Sequence, residues 1–366
     1  MIQHQGKTCA ELGITNPAMT KYDENLRYYN TMELKEFRLY GVIPSADGTT
    51  YVRIPEHIVE PINPSITRES RVLSGGRIRF VTDSDYIALK CCGSMSRIQS
   101  AMSQIGASGF DVYMKRTGKY VHVGNFVPPI KHDGNFGGLL DTTLPKGRKE
   151  ITINFPLFNY FSELYIGLDK TSTLEAHPDY TYEKPVLYYG SSITHGGSAS
   201  RPGLSYPAII SRRYDTNFIN LGLSGNAKGE DPIIEYLCSF DPSVFVLDYD
   251  HNAPNVAHLA ATHEKLYLAF RKAHPETPVI MISKPNGNPT DRELIERRDV
   301  IFNTYMNAFK RGEKVIFIDG STLLGTDSRD DCTADGCHPN DIGFMRMADV
   351  IGKAVEYAIS ISGGAK

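Results

Sequence analysis

The stretch VLYYGSSITH, residues 186–195, decides the fold of the second half of the chain. A compact apolar run ends there at a glycine, and small polar residues follow it. Short apolar runs of this kind are typical of strands that are buried in a parallel sheet. Longer amphipathic stretches separate it from four further runs of the same character, which are Phe218–Leu221, Val244–Leu247, Val279–Ile282 and Val315–Ile318. This alternation predicts an α/β domain with a parallel sheet and crossover helices.

Two helices of this domain can be predicted in more detail. The last one carries apolar residues at helical spacing, and Asn340 is its expected N-cap. Its predicted buried face consists of Phe344, Met347, Ala348, Ile351, Val355 and Ile359. An earlier helix has a predicted solvated face with Arg292, Arg297, Arg298 and Arg311, and a predicted buried face with Leu294, Ile301, Tyr305 and Phe309.

The first half of the chain has a different pattern. Short alternating runs are bounded by Gly, Pro, Asn and Asp, and this half of the sequence has no long segment of helical period. Many short strands with turn signals between them predict an antiparallel β-sandwich of jelly-roll type. We therefore expect a β-sandwich domain over residues 1–175, a linker over 176–184 and the α/β domain over 185–366.

Composition and charge limit the classes of function. The chain has 366 residues, 39 Lys and Arg against 42 Asp and Glu, and a formal net charge of −3. A nearly balanced charge makes nucleic acid an unexpected partner, because phosphate binding requires a basic surface. No apolar window is long enough for a membrane span, and residues 1–10 contain no apolar run of signal-peptide type. We expect a cytoplasmic protein that binds no membrane, and formation of a homo-oligomer is possible but not indicated.

The six cysteines do not form a regular framework. They stand at positions 9, 91, 92, 238, 332 and 337, without a CxxC pair. This pattern fits reduced thiols in a reducing compartment. Cys332 and Cys337 are close enough in sequence for a bridge or half a metal site, but two unpaired thiols are the expected state.

Polar residues follow four of the five predicted strands. In open α/β sheets, ligands bind at the carboxyl ends of the strands, so these loops are the places to expect a site. Three of these loops directly follow the first three predicted strands, and the fourth loop lies beyond the fifth strand. They are Gly190–Gly197, Gly222–Asn226, Asp248–Asn252 and Asp335–Pro339.

These loops contain the residue types that serine-based acyl transfer needs. A serine hydroxyl is a poor nucleophile unless an imidazole takes its proton and a third group orients that imidazole. Ser192, His338 and Asp335 are candidates for these roles, and the Asp-x-x-His spacing lets one loop present carboxylate and imidazole together. Donors to the developing oxyanion would be the N–H groups of Ser192 and Gly225 and the amide of Asn252.

The four loops, in this order, resemble the sequence blocks of the SGNH or GDSL-type esterase and acylhydrolase family. Residue by residue, the resemblance implies that Ser192 is the nucleophile and that Asp335 and His338 are its partners. It further implies that Ser192, Gly225 and Asn252 form the oxyanion hole. The family's fold is a three-layer α/β/α, flavodoxin-like domain, and its chemistry needs no metal or organic cofactor.

The resemblance covers residues 185–358 and has two departures. The usual Gly-Asp-Ser is Gly-Ser-Ser here, so Ser191 competes with Ser192 for the role of nucleophile, although the register favours Ser192. Asp250 stands two residues before Asn252, where the family usually has glycine. An N-terminal β-sandwich before such a domain also resembles the arrangement in some carbohydrate esterases and in a related acyltransferase.

The expected function is therefore a serine esterase that removes short acyl groups, such as acetyl, from a small-molecule or oligosaccharide ester. Two alternatives remain open: an acyltransferase that uses the same acyl-enzyme with an alcohol acceptor, and a non-catalytic carbohydrate-binding protein. His195 and His251 flank the expected cleft and are candidate substrate contacts. His251, His258 and His263 do not have the spacing of a zinc helix. Asp248 and Asp250 could suggest a paired-carboxylate site, but a solvated or hydrogen-bonded loop is the simpler interpretation.

Overall fold

The computed structural model describes residues 5–94, 100–140, 144–285 and 291–362. Contacts divide the chain into two compact units. The first unit comprises the chain up to Arg53, Arg71–Asp179 and Ser200–Gly203, and the second comprises Ile54–Ser70, Tyr180–Ala199 and the chain from Leu204 onward. Two short segments thus belong to the unit that is formed mainly by the other half of the sequence.

The helices and strands are numbered along the chain. The α-helices are α1 (Pro17–Thr20), α2 (Glu56–Val59), α3 (Pro64–Arg71), α4 (Gln104–Ser108), α5 (Ser192–His195), α6 (Tyr206–Tyr214), α7 (Asp231–Cys238), α8 (Val256–Ala273), α9 (Arg292–Lys310) and α10 (Asp341–Ile361). The strands of the first unit are β1 (Leu26–Asn30), β2 (Arg38–Tyr40), β3 (Ile43–Pro44), β4 (Tyr51–Val52), β5 (Arg77–Thr82), β6 (Ile87–Cys92), β7 (Phe110–Arg116), β8 (Lys119–Phe126), β9 (Phe136–Leu140), β10 (Lys149–Asn154), β11 (Glu163–Asp169) and β12 (Leu174–Ala176). The strands of the second unit are β13 (Tyr182–Gly190), β14 (Thr216–Gly222), β15 (Val244–Asp248), β16 (Val279–Ile282) and β17 (Val315–Ile318).

The first unit is built from antiparallel sheets. One sheet has the order β1-β11-β6-β9, and another has the order β12-β5-β10-β7-β8 with β2 also paired to β5. Alternate residues of neighbouring strands meet on one face, as in the pairs Ile151 with Phe80 and Ile153 with Ile78. Side chains of both sheets contribute to a single buried cluster, which also contains Leu164 of β11. Two antiparallel sheets around one core form a β-sandwich, and this prediction is confirmed.

The segment Ser200–Gly203 is anchored inside the first unit by a buried carboxylate. Asp111, on β7, is fully buried. Its Oδ2 accepts hydrogen bonds from the N–H of Gly203 at 2.8 Å and from Nη1 of Arg201 at 3.1 Å. Its Oδ1 accepts a hydrogen bond from Nδ2 of Asn154 at 2.8 Å. A buried charge needs such partners, so Asp111 explains why these four residues join the sandwich.

The second unit contains the predicted parallel sheet. The strand order is β14-β13-β15-β16-β17, and every neighbouring pair is parallel. All five apolar runs that were predicted to be strands lie within these five strands. Helix α8 packs between α7 and α9, while α6 packs against α10. The α/β domain with helices around a parallel sheet is therefore confirmed.

The last helix agrees closely with its prediction. Asn340 is the N-cap of α10, and its Oδ1 accepts hydrogen bonds from the N–H groups of Ile342 at 3.0 Å and Gly343 at 3.2 Å. All six residues of the predicted apolar face are buried. Asn340 also donates to the backbone oxygen of Asp331 at 2.7 Å, which fastens the preceding loop to the start of the helix.

The prediction for the two faces of α9 was partly wrong. The buried residues of α9 are Arg297, Ile301, Thr304 and Ala308, whereas Phe309 is 58% exposed. The buried face of α9 differs from the predicted one because the polar side chains of Arg297 and Thr304 form hydrogen bonds inside the second unit. Arg297 donates to the backbone oxygens of Asp250 at 2.8 Å and Ala253 at 3.0 Å, so it does not lie on a solvated face.

In the part of the chain that the structure describes, every helix is too short or too polar to cross a membrane.

Candidate active site

The candidate site lies where β13, β14 and β15 end. Gly190, the last residue of β13, pairs with Gly222 at the end of β14 and with Asp248 at the end of β15. The three loops that follow these strands therefore start at the same edge of the sheet. This edge and the loop before α10 bring Ser192, His338 and Asp335 together.

Ser192, His338 and Asp335 form a continuous chain of hydrogen bonds. Ser192 Oγ lies 2.9 Å from His338 Nε2, and His338 Nδ1 lies 2.8 Å from Asp335 Oδ2. A carboxylate can only accept, so Nδ1 carries the proton and a neutral imidazole presents Nε2 as the acceptor for the serine hydroxyl. This is the arrangement in which an imidazole can take the proton of Ser192.

One short loop holds Asp335 and His338 in register. Asp335 Oδ1 accepts hydrogen bonds from the N–H groups of Cys337 at 3.0 Å and His338 at 2.8 Å. Gly336, between them, has a φ of +79°, a conformation that glycine adopts without strain. Partial burial alone would raise the pKa of Asp335, but these hydrogen bonds and the one from the imidazole outweigh it and lower the pKa. The carboxylate therefore stays ionised at neutral pH.

The structure distinguishes the two neighbouring serines by their partners. Ser191 is the N-cap of α5, and its Oγ accepts a hydrogen bond from the N–H of Ile193 at 3.1 Å. Ser192 is the first residue of the helix, and its Oγ is the one beside His338. Gly197 supports this approach, because a Cβ at that position would lie 3.1 Å from Cδ2 of His338.

Three hydrogen-bond donors, one on each of the loops after β13, β14 and β15, are candidates for an oxyanion hole. The N–H of Ser192 starts α5, where intrahelical acceptors do not exist. Gly225 has a φ of +71°, and its N–H has no acceptor among the described residues. Asn252 Oδ1 accepts a hydrogen bond from the N–H of Ala227 at 3.4 Å, which orients the amide and leaves Nδ2 as the donor.

Asp250, the departure from the family pattern, fits its position. It is 2% exposed, and its Oδ2 accepts a hydrogen bond from the N–H of Lys284 at 2.8 Å. Its φ is not positive, so the turn does not require glycine. Burial raises the pKa of Asp250 to about 6, although the hydrogen bond from Lys284 and the charges of Arg297 and Lys284 lower it.

His195 does not join the group around Ser192. Its side chain is fully buried, and Nδ1 lies 3.8 Å from Oε2 of Glu69 on α3. The end of α5 packs closely on β14, since a Cβ on Gly222 would lie 2.2 Å from the N of His195. A side chain without exposed surface has no area for a bound substrate, so we assign His195 to the packing of α5.

His251 lies beside the catalytic candidates. Its Nε2 is 3.1 Å from Sγ of Cys337, the neighbour of His338 in sequence. Burial, together with the charges of Lys284, His338 and Arg297, lowers the pKa of His251 to about 3, so its ring is neutral. Burial also raises the pKa of the Cys337 thiol. All six cysteines lie in the described ranges and are free thiols.

Asp248 was not predicted to be a site residue. This residue is 3% exposed and hydrogen-bonded, and it contacts the helix that carries Ser192 through Thr194. Burial raises the pKa of Asp248 to about 7; hydrogen bonds from Thr194 and Tyr206 lower it, and the neighbouring Asp250 raises it. The only signal in the sequence was a carboxylate at the end of an apolar strand.

Comparisons with known protein families match both halves of the chain. Residues 183–356 match the model of the GDSL-like lipase/acylhydrolase family, and residues 26–174 match the model for the N-terminus of SGNH-hydrolase-type esterases. Together the two matches span most of the chain, in the order that the sequence analysis expected. A comparison with curated protein sequences gave no match.

Several solved structures share the fold. A protein of Bacteroides ovatus, described as a GDSL-like lipase, is 28% identical with a TM-score of 0.81, and the match covers 92% of this chain and 99% of that one. A salicylyl-acyltransferase from a tetracycline biosynthetic pathway is 18% identical with a TM-score of 0.73 and the same coverage. An acetyl xylan esterase from Butyrivibrio proteoclasticus is 13% identical with a TM-score of 0.58, again over 92% and 99% of the two chains.

Proposed function

This chain belongs, through residues 183–356, to the GDSL-like lipase/acylhydrolase family of ester-hydrolysing enzymes, and we propose that Ser192, His338 and Asp335 are its catalytic triad. The observation that carries the proposal is the hydrogen-bond chain of 2.9 Å and 2.8 Å through His338. Asp335 orients the imidazole and stabilises the imidazolium that forms during the reaction.

The proposed reaction has two halves. His338 Nε2 takes the proton of Ser192 as Oγ attacks the ester carbonyl carbon, and the carbonyl π electrons move to oxygen. When the tetrahedral intermediate collapses, the bond to the alcohol oxygen breaks and His338 protonates that oxygen. Water then attacks the acyl-enzyme with His338 as base, which releases the acid and restores Ser192.

The N–H groups of Ser192 and Gly225 and the Nδ2 group of Asn252 stabilise the oxyanion of both tetrahedral intermediates. The N–H of Ala227 holds Asn252 Oδ1, which leaves Nδ2 as the free end of the amide. His251 is our candidate for a substrate contact beside the triad.

Replacing Asn252 by alanine should lower kcat and leave substrate binding nearly intact. The amide donor acts mainly on the charge that develops in the transition state, so we expect kcat to fall by about 10²-fold while KM changes by less than about threefold. Asn303→Ala, which removes an exposed amide on α9, is the control and should keep full activity. A larger change in KM than in kcat would assign Asn252 to ground-state binding instead.

We further propose that the substrate is a short-chain ester, with acetyl on a sugar hydroxyl as the favoured case. The support is architectural: the sandwich followed by an α/β domain is also the arrangement of the acetyl xylan esterase and of a family 2 carbohydrate esterase solved with cellohexaose. At these identities the likeness concerns the fold, so the substrate must be tested directly.

The test compares hydrolysis with transfer on the same substrates. Acetylated xylo-oligosaccharides and 4-nitrophenyl esters with two to eight acyl carbons are incubated with the enzyme, with and without excess alcohol. The proposal expects free acetate, rates that fall with acyl length, and the same acetate yield when alcohol is present. Acetate appearing mainly on the added alcohol would identify an acyltransferase, and oligosaccharide binding without any turnover would identify a binding protein.

A further inference from the structure

Ser192 is the first residue of a helix that is too short to be stable by itself. Helix α5 has four residues, Ser192–His195, and ends at Gly196 with a φ of +109°. A single helical turn is not stable by itself, so its placement depends on the side chains around it. The hydrogen bond of 2.9 Å between Ser192 and His338 therefore depends on side chains that pack against α5 and fix its position.

A buried hydroxyl–carboxylate cluster lies beneath α5. Thr194 Oγ1 donates to Asp248 Oδ2 at 2.8 Å, and the hydroxyl of Tyr206 donates to the same oxygen at 3.1 Å. Thr194 and Tyr206 are fully buried, and Asp248 is 3% exposed. The cluster links α5 to the end of β15 and to the first residue of α6.

The backbone around the cluster is shaped for this contact. A Cβ on Gly190 would lie 2.1 Å from Thr194 Oγ1, so a larger residue at the end of β13 would displace the threonine. From β14, Nδ2 of Asn220 donates to the backbone oxygen of Thr194 at 2.9 Å. The ends of three strands thus meet the same residue of α5, and Asp248 contributes the carboxyl group that accepts from its hydroxyl.

Burial of Asp248 at this position costs free energy of folding. Its two hydrogen-bond donors are neutral hydroxyls, and the charged group that acts on it among the described residues is Asp250, which has the same sign. A buried carboxyl without a cationic partner costs stability, and such groups are concentrated at functional sites.

We infer that Asp248 is a positioning residue: by accepting the hydrogen bonds of Thr194 and Tyr206, it holds α5 so that Ser192 Oγ stays within hydrogen-bonding distance of His338 Nε2. Asp248 acts through Thr194 and does not touch the substrate. This inference rests on the proposed function, because the position of Ser192 affects a rate only if Ser192 is the nucleophile.

The variants remove one hydroxyl at a time. Thr194→Val keeps the shape of the side chain and loses the hydrogen bond to Asp248, whereas Thr194→Ser keeps the hydrogen bond and serves as the rescue variant. Tyr206→Phe removes the second donor. Tyr267→Phe is the matched control, because Tyr267 is also fully buried and donates to a carboxylate, that of Glu313, at 2.5 Å.

We expect Thr194→Val and Tyr206→Phe each to lower kcat by about tenfold or more while KM changes by less than about twofold, since a misplaced nucleophile affects the chemical step. Thr194→Ser should stay within about threefold of the parent enzyme, and Tyr267→Phe should retain full kcat even if its melting temperature falls. If Thr194→Val and Tyr206→Phe both fold and keep kcat within about twofold of the parent value, the cluster has a purely structural role and the inference is overturned. If Thr194→Val does not fold, Tyr206→Phe decides.

Crystal structures of the same variants separate this inference from the proposed function. If the parent protein hydrolyses no ester, the distance between Ser192 Oγ and His338 Nε2 remains a readout. A distance that lengthens beyond about 3.5 Å in Tyr206→Phe or Thr194→Val supports positioning by Asp248 even though the function was wrong. An unchanged distance in both variants overturns the inference.

Discussion

Ser192→Ala should abolish ester hydrolysis while leaving the fold intact. Without Oγ, the reaction has no nucleophile and His338 has no proton to take, so we expect kcat to fall by on the order of 10⁴- to 10⁶-fold. The side chain is 6% exposed and small, so its loss should change the free energy of unfolding little. Initial rates on 4-nitrophenyl acetate and thermal unfolding of both proteins provide the measurement.

Ser191→Ala is the matched control for this variant. It removes a neighbouring hydroxyl of similar burial, and with it the hydrogen bond that caps α5 at Ile193. Loss of an N-cap costs about 1 kcal/mol, so some activity should be lost as α5 loosens, but by far less than in Ser192→Ala. Equal losses in the two variants, or a larger loss in Ser191→Ala, would show that the register of the nucleophile is wrong.

Asp335→Asn should give the second largest loss, through the tautomer of His338. If the amide oxygen keeps the hydrogen bonds from the N–H groups of Cys337 and His338, the NH₂ group faces His338 Nδ1. The imidazole must then carry its proton on Nε2 and cannot accept the proton of Ser192. We expect kcat to fall by about 10²- to 10⁴-fold. The loss should be nearer the lower end of this range, because the Asp335 side chain is 39% exposed and water can take its place beside His338.

The control for this variant is Asp330→Asn. Asp330 lies in the same loop region, is exposed, and undergoes the same change of charge. Steady-state kinetics of both variants on one substrate give the comparison. If Asp335→Asn retains more than about a third of kcat, Asp335 does not orient the imidazole and the triad reduces to Ser192 and His338.

The parallel sheet was predictable because its strands are buried on both faces and are therefore continuous apolar runs. The same property places their ends at one edge, which is why residues from distant blocks could be expected to meet. Face prediction also worked for α10, whose buried residues are apolar. It was partly wrong for α9, where Arg297 and Thr304 are buried by hydrogen bonding rather than by hydrophobicity.

Short helices in the first half of the chain were not predicted for a related reason. Helix α3 buries Ile66, Glu69 and Ser70, so two of the three residues on its inner face are polar and leave no apolar periodicity. Contacts place Ile54–Ser70 with the second unit, and no linker composition marks that segment in the sequence. Pairings of this kind are decided by partners far along the chain.

The residues of the candidate triad could be predicted from the sequence, but the burial and contacts of the residues around them could not. Sequence blocks indicated Ser192, His338 and Asp335, and the structure brings them within hydrogen-bonding distance; their catalytic roles stay predictions. The sequence predicted a solvated or hydrogen-bonded loop for Asp248 and Asp250, and it could not distinguish the two because carboxylates are mostly exposed. Only the fold shows that both are buried, and that His195, three residues after Ser192, turns inward to Glu69.

The most direct test of the central claim is fluorophosphonate labelling of the native protein, followed by peptide mass spectrometry to locate the adduct. A fluorophosphonate reacts with a serine that an imidazole activates, so it reports the working triad independently of the natural substrate. We predict one adduct on Ser192, absent in Ser192→Ala and strongly reduced in His338→Ala. A folded protein without any adduct, under conditions that label a known serine esterase, or an adduct on Ser191 would contradict it.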